Sequence, residues 1–148
     1  MASEQNHVAL ANRNHLLLVE LIAAQKHNEW IATVAFYKAV HLVEAVFAHQ
    51  YGRHSMSHLA RLDWLKHDNV IKSCFGAYRS LMTASLVARY LESDESGNVS
   101  TFESFMPMSD VIATMVYGKL VKVERTILSN LSGPSQKLLH RVLEQPKS

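Results

Sequence analysis

Asn28-Glu29-Trp30-Ile31-Ala32-Thr33-Val34-Ala35-Phe36-Tyr37-Lys38-Ala39-Val40-His41-Leu42-Val43-Glu44-Ala45-Val46-Phe47-Ala48-His49-Gln50-Tyr51-Gly52 is the stretch that decides the fold. Trp30, Ile31, Val34, Phe36, Tyr37, Val40, Leu42, Val43, Val46 and Phe47 fall on nearly every side of a helix over about 29–50. An amphipathic helix would keep one polar face for water. One that is apolar almost all round is packed on several sides, as the central member of a bundle or at a dimer interface. Asn28 is placed to cap the start, and Glu29 suits the positive end of the helix dipole. Gly52 supplies the left-handed residue that commonly ends a helix.

Working outward, helix formers with Leu10, Leu16, Leu17, Val19, Leu21 and Ile22 predict a helix over about 9–27. After Gly52, Ser57 can cap a shorter helix of about 57–67. Asp68-Asn69 opens the next, about 69–92, with Ile71, Cys74, Phe75, Tyr78, Leu81, Met82, Ser85 and Arg89 as its stripe. The polar stretch from Glu92 to Phe105 contains Ser96-Gly97-Asn98 and reads as a surface loop. Pro107 and Ser109-Asp110 start a fifth helix, about 109–131, carrying Ile112, Met115, Val116, Leu120, Val123, Ile127 and Leu131 inward. Ser132-Gly133-Pro134 ends it, a short helix of about 135–144 follows, and residues 1–8 and 145–148 are expected to fray. Nothing alternates with period two, so the expected class is all-α, an antiparallel helical bundle of about five helices.

The chain has 148 residues, 48% of them hydrophobic and only 19% charged, which excludes a disordered chain and fits one domain. With a net charge of +2, attraction to nucleic acid must come from a local patch. The opening Met1-Ala2-Ser3-Glu4-Gln5-Asn6-His7 lacks a positive segment followed by an apolar run, so no secretory signal is expected. No stretch is expected to supply the ~20 apolar residues that span a bilayer. Cys74 is the one cysteine; it rules out an internal disulfide, and Ile71, Phe75 and Tyr78 around it predict a buried, inert thiol. A cytoplasmic location follows as the expectation.

Chemistry concentrates after the apolar helix, in Tyr51-Gly52-Arg53-His54-Ser55-Met56-Ser57-His58-Leu59-Ala60-Arg61. Arginine grips phosphate through a planar, permanently charged fork, and histidine suits proton transfer near neutrality. Arg53 and His58 at a loop-to-helix junction could converge on a small anion, with His54 as a second imidazole. Arg61, three residues after His58, lies on the same helix face. Such a set could cleave an RNA phosphodiester without a metal, leaving a 2′,3′-cyclic phosphate and a 5′-hydroxyl. The same residues could equally form a solvated, hydrogen-bonded corner. A second match, Arg61-x5-His67, ranks lower because its histidine falls near a helix boundary.

Trp30, then Phe36-Tyr37-Lys38-Ala39-Val40-His41-Leu42-Val43-Glu44-Ala45, Ser57-His58-Leu59-Ala60-Arg61 and Tyr78-Arg79-x-Leu81-x3-Ser85-x3-Arg89-Tyr90 resemble, in order and spacing, the small prokaryotic HEPN-domain proteins. The resemblance covers about residues 13–92. It implies an α-helical bundle, usually a homodimer, whose active members carry R-x4–6-H with Asn, Asp or His often following the arginine. Arg53-His54-x3-His58 matches that form. In such proteins the motifs of two subunits make a composite, metal-independent ribonuclease site. Many are toxins with a cognate antitoxin, defence effectors or RNA-processing proteins; others only bind nucleotide, RNA or a partner protein. Close relatives centre instead on Ser57-His58-x2-Arg61. His58 belongs to both patterns and ranks first, while Arg53 and Arg61 compete for the phosphate role, Arg53 placed ahead of Arg61 and the choice left open.

His41, Glu44 and His49 on the apolar helix could hold a metal, but Asp and Glu are scarce on the other inward faces. No metal and no cofactor is therefore expected, and His41 and Glu44 read as a polar pair in the bundle. Tyr78 reads as a core aromatic, and Arg89-Tyr90 as a structural cap or a substrate contact. Lys119, Lys122 and Arg125 form a basic face on the fifth helix, and the six methionines read as filler.

Overall fold

A computed structural model describes residues 3–89 and 102–143. Tyr90, most of the polar stretch and the Gln145–Ser148 tail lie outside the described residues. The chain builds α1 (Glu4–Ala24), α2 (Asn28–Tyr51), α3 (His58–His67), a 3-10 turn (Lys72–Cys74) and α4 (Phe75–Arg89). Short α5 (Phe102–Phe105) precedes α6 (Met108–Asp110), a π-helical run (Val111–Leu120) and α7 (Val121–Leu128), which follow one another without a break. The last element is α8 (Gly133–Leu138). With no strand among the described residues, the class is all-α.

α2 is the central member of the bundle. It packs on α1, α4, the π-helical run and α7, and Ile31, Phe36, Leu42, Val43 and Phe47 are shielded from solvent. Each such side chain contributes about 1.5–3 kcal/mol on burial. This packing also corrects the expectation about membrane spans. α2 is long and apolar enough to cross a bilayer, with mean hydropathy 1.5, but 83% of that window is buried inside the bundle. Its charges point the same way: Lys38 and Glu44 are both buried and both find partners within the chain.

α1 begins earlier than its pattern predicts. Ser3 accepts the Asn6 N–H at 3.2 Å, and Glu4 reaches across to cap α8, accepting from Ser132 N at 2.9 Å and Ser132 Oγ at 2.5 Å. The start of the described chain is thus pinned, not frayed. Burial alone would raise the Glu4 carboxyl, but these bonds and nearby His49 hold it below its usual range. The inward face of α1 is not set by most of the leucines that mark the helix in the sequence. His7, Val8, Ala11 and Leu18 are buried, whereas Leu10, Leu16, Leu17 and Val19 are exposed. Apolarity misleads here because histidines occupy the inward face at helical spacing, and Ala11 lets α1 approach α2 closely.

Asn28 does not cap α2; its side-chain amide donates to the Met106 carbonyl at 2.8 Å. His27 stands at the cap position with φ 57° and makes no side-chain cap bond. Ser57 does cap α3, accepting the Ala60 N–H at 3.0 Å. Asp68 ends α3 and organises the next turn by accepting from Val70 N at 2.8 Å, Ile71 N at 3.0 Å and the Tyr51 hydroxyl at 2.6 Å. Cys74 is fully buried, and burial pushes its thiol up to about 12, in keeping with an inert cysteine.

In the fifth helix the winding itself departs from expectation. Val111, Met115, Val116 and Leu120 are the buried residues of the π-helical run, four and five positions apart, and Ile112 is only half-buried. In a 3.6-residue helix Val111 and Leu120 would lie on opposite sides. Wider π turns bring both inward, so the stripe shifts by one residue. Ser132, read from the sequence only as part of the stop of the fifth helix, caps α8, and that helix stops at Leu138, short of 144.

Candidate functional site

Gly52 ends α2 with φ 63°, a left-handed conformation that glycine adopts without strain. From there the chain turns through Arg53 to the Ser57 cap, which makes His58 the first residue of α3. Arg61, one turn on, points inward. Its Nε donates to Glu44 Oε1 at 2.7 Å, across to α2. The Ser55 N–H donates to Glu44 Oε2 at 3.0 Å, and the Ser55 hydroxyl donates to Oε1. One buried carboxylate thereby fixes both the link and the start of α3.

A second arm of Arg61, Nη1, lies 2.8 Å from His58 Nδ1. Guanidinium can only donate, so Nδ1 accepts and the ring proton sits on Nε2. His58 is exposed, with its ring against Phe36 and Tyr37 at centroid distances of 5.6 and 6.3 Å. Partial burial and the positive charges of Arg61 and Arg89 all hold its proton affinity below the ordinary value. Arg89 donates from Nη1 to the Tyr37 hydroxyl at 2.9 Å and from Nε to the Ser85 carbonyl at 3.3 Å. What results is a neutral imidazole presenting a donor, flanked by two guanidinium groups.

The structure thus joins His58 to Arg61. Arg53 lies elsewhere, its guanidinium 4.4 Å from the Trp64 ring centroid and 5.9 Å from that of Tyr51. The Arg53–His58 spacing match does not bring these two into contact, because Arg53 follows Gly52 onto the aromatic side of α3. His54 turns the other way, its ring 6.4 Å from that of His7. His67 bonds the Asp63 carbonyl within its own helix at 3.0 Å and is exposed, so the Arg61–His67 match has no shared site.

Behind Glu44 the interior continues as a histidine cluster. His7 Nδ1 lies 3.2 Å from His41 Nδ1. The expected His41–Glu44 pair is therefore divided: Glu44 bonds Arg61 and Ser55, and His41 bonds His7. His49 is remote from both, 3.4 Å from Glu4 Oε2. Burial, then the positive charges of His7 and Arg61, push His41 down to about 4 from an ordinary 6.5, against the pull of Glu44. In the unfolded chain His41 takes its proton first as pH falls. The stability it contributes is therefore complete above about pH 6.5 and is lost progressively toward pH 4. Urea midpoints are expected to drop across that window, and His41→Asn should flatten the drop. A midpoint unchanged between pH 7 and 4.5 would contradict the assignment.

Tyr78 is fully buried against Phe36, and burial pushes its phenol up to about 12. Three participants escaped the reading of the sequence. Tyr37 was given no role beyond the apolar helix, His7 was seen only as part of a polar start, and Lys38 stood within a run without a role of its own. Lys38 is completely buried and donates to Glu124 Oε1 at 2.7 Å and to the His140 carbonyl at 2.8 Å, with His15 Nδ1 at 2.9 Å. A lysine inside an otherwise apolar helix was the available signal. Comparison of the chain with protein-family models, with curated proteins and with solved structures gave no match.

Proposed function

We propose that this chain is a helical module of HEPN type that binds a phosphate-bearing partner, RNA or a nucleotide, at the face formed by His58, Arg61 and Arg89. The observation that carries the reading is the Arg61–His58 contact, which leaves Nε2–H of an exposed, neutral ring as a hydrogen-bond donor beside two cations. The first amides of α3 open toward the same end and favour an anion. The resemblance in Ser57-His58-x2-Arg61 agrees with this choice of residues.

A homodimeric, metal-independent ribonuclease is the second reading. Within one chain His58 has no lone pair at Nε2 with which to act as base, so a second copy would have to complete the site. Met56 and Leu59, beside His58, are 86% and 78% exposed, apolar area that such a copy would cover.

One experiment separates the two. The full chain is incubated with single-stranded RNA in EDTA, and both binding and 3′ ends are followed. Binding without cleavage, weakened about tenfold in His58→Ala and falling with salt, supports the module. Cleavage to 2′,3′-cyclic phosphate ends that His58→Ala abolishes supports the ribonuclease. RNA neither bound nor cut, with nucleotides also ignored, overturns both.

A further inference from the structure

The interior face of the same segment carries a second arrangement. A ring nitrogen of His7, a carboxylate oxygen of Glu44 and a ring nitrogen of His54 lie within 4.8 Å of one another. They come from α1, α2 and the link before α3. His7 is 6% exposed, and its Nδ1 is taken by His41. Its Nε2 is fully buried and has no hydrogen-bond partner among the described residues. A buried polar atom left in that state is destabilising, and a bound cation would remove the penalty.

We infer that His7, His54 and Glu44 form a site for one divalent transition-metal ion of the zinc class. Two imidazoles and a carboxylate are a donor set that zinc takes in tetrahedral geometry, with a fourth position left for solvent. Ligand atoms 4.8 Å apart close to metal-binding distances through small side-chain rotations. His41 holds His7 by Nδ1, as a partner to a metal-bound histidine does, and so directs Nε2 to the ion. Glu44 has the capacity to take part. Arg61 Nε and the Ser55 hydroxyl use Oε1, whereas Oε2 accepts only the Ser55 N–H and keeps a further lone pair. Arg61 weakens the site by its charge but does not block it. The ion would tie α1 to the α2–α3 link, behind the exposed His58 face. This inference does not rest on RNA or nucleotide being the partner.

Metal-stripped full-length protein is titrated with Co2+ and, in competition, Zn2+, with the cobalt visible spectrum and calorimetry as readouts. The expected result is one equivalent bound, a spectrum of tetrahedral type, and a rise in melting temperature. His54→Ala is the main variant, because His54 is half-buried and its removal leaves no core cavity. It and His7→Asn should each weaken binding at least tenfold, while His49→Ala and His67→Ala leave it unchanged. No saturable binding overturns the site. So does binding that survives in His54→Ala but is lost with His49 or His67.

Discussion

Glu44→Ala is expected to lower stability by about 3–5 kcal/mol, a large share of the roughly 5–15 kcal/mol that holds a domain folded. Glu44 is 2% exposed and is the carboxylate on which Arg61 Nε and both donors of Ser55 converge. Truncation leaves a mostly buried guanidinium without its counter-charge and a serine link without its anchor. Glu44→Gln keeps one acceptor and should cost roughly half as much. Glu44→Leu combined with Arg61→Met removes both charges and is expected to recover part of the loss, because the charge penalty goes while the Ser55 N–H and hydroxyl stay without an acceptor. Denaturant titration of the four proteins checks this. A loss under about 1 kcal/mol in Glu44→Ala would mean that the pair behaves as a surface ion pair. RNA binding should stay weak in the rescued double variant, since His58 has lost the donor that sets its tautomer.

Glu124→Ala should be of similar severity, about 3–5 kcal/mol, for a related reason on another side of α2. Lys38 and Glu44 are six residues apart, about 120° around the helix, so each charge serves a different neighbour. Glu124 Oε1 accepts from Lys38 and Oε2 from the Val142 N–H at 3.0 Å, while Lys38 also donates to the His140 carbonyl. The pair therefore holds the segment after α8 against α1, α2 and α7. Lys38→Met alone leaves Glu124 buried and charged, and should cost nearly as much. In Lys38→Met with Glu124→Leu, the charge penalty goes but the backbone groups of His140 and Val142 lose their partners. Recovery should be incomplete, and proteolysis should begin beyond Leu138. Full recovery would show that the C-terminal segment is held by its apolar contacts alone.

Local pattern was enough for much of this. The Gly52 stop, the Ser57 cap and the apolar circumference of α2 each follow from a few neighbouring residues, because capping and periodicity are local effects. Where two elements compete, local pattern failed. Leu10, Leu16, Leu17 and Val19 served to predict α1 as a helix, yet the bundle takes the face bearing His7, Ala11 and Leu18, since His41 on α2 pairs with His7 Nδ1 and an alanine permits close approach. Asn28 looked like a cap and is spent on Met106, far along the chain. The π-helical winding moved a stripe that 3.6 periodicity had set.

For the candidate site, sequence alone determined the class of fold and pointed to the segment in which His58 and the two arginines lie. It did not choose between Arg53 and Arg61, because spacing along a chain says little about direction after a glycine. The tertiary structure decided that by placing Glu44 on α2 opposite Arg61 and Trp64 beneath Arg53. A buried carboxylate demands a cation and a half-buried indole accepts one on its face, so each arginine was assigned by the partner that packing brought to it.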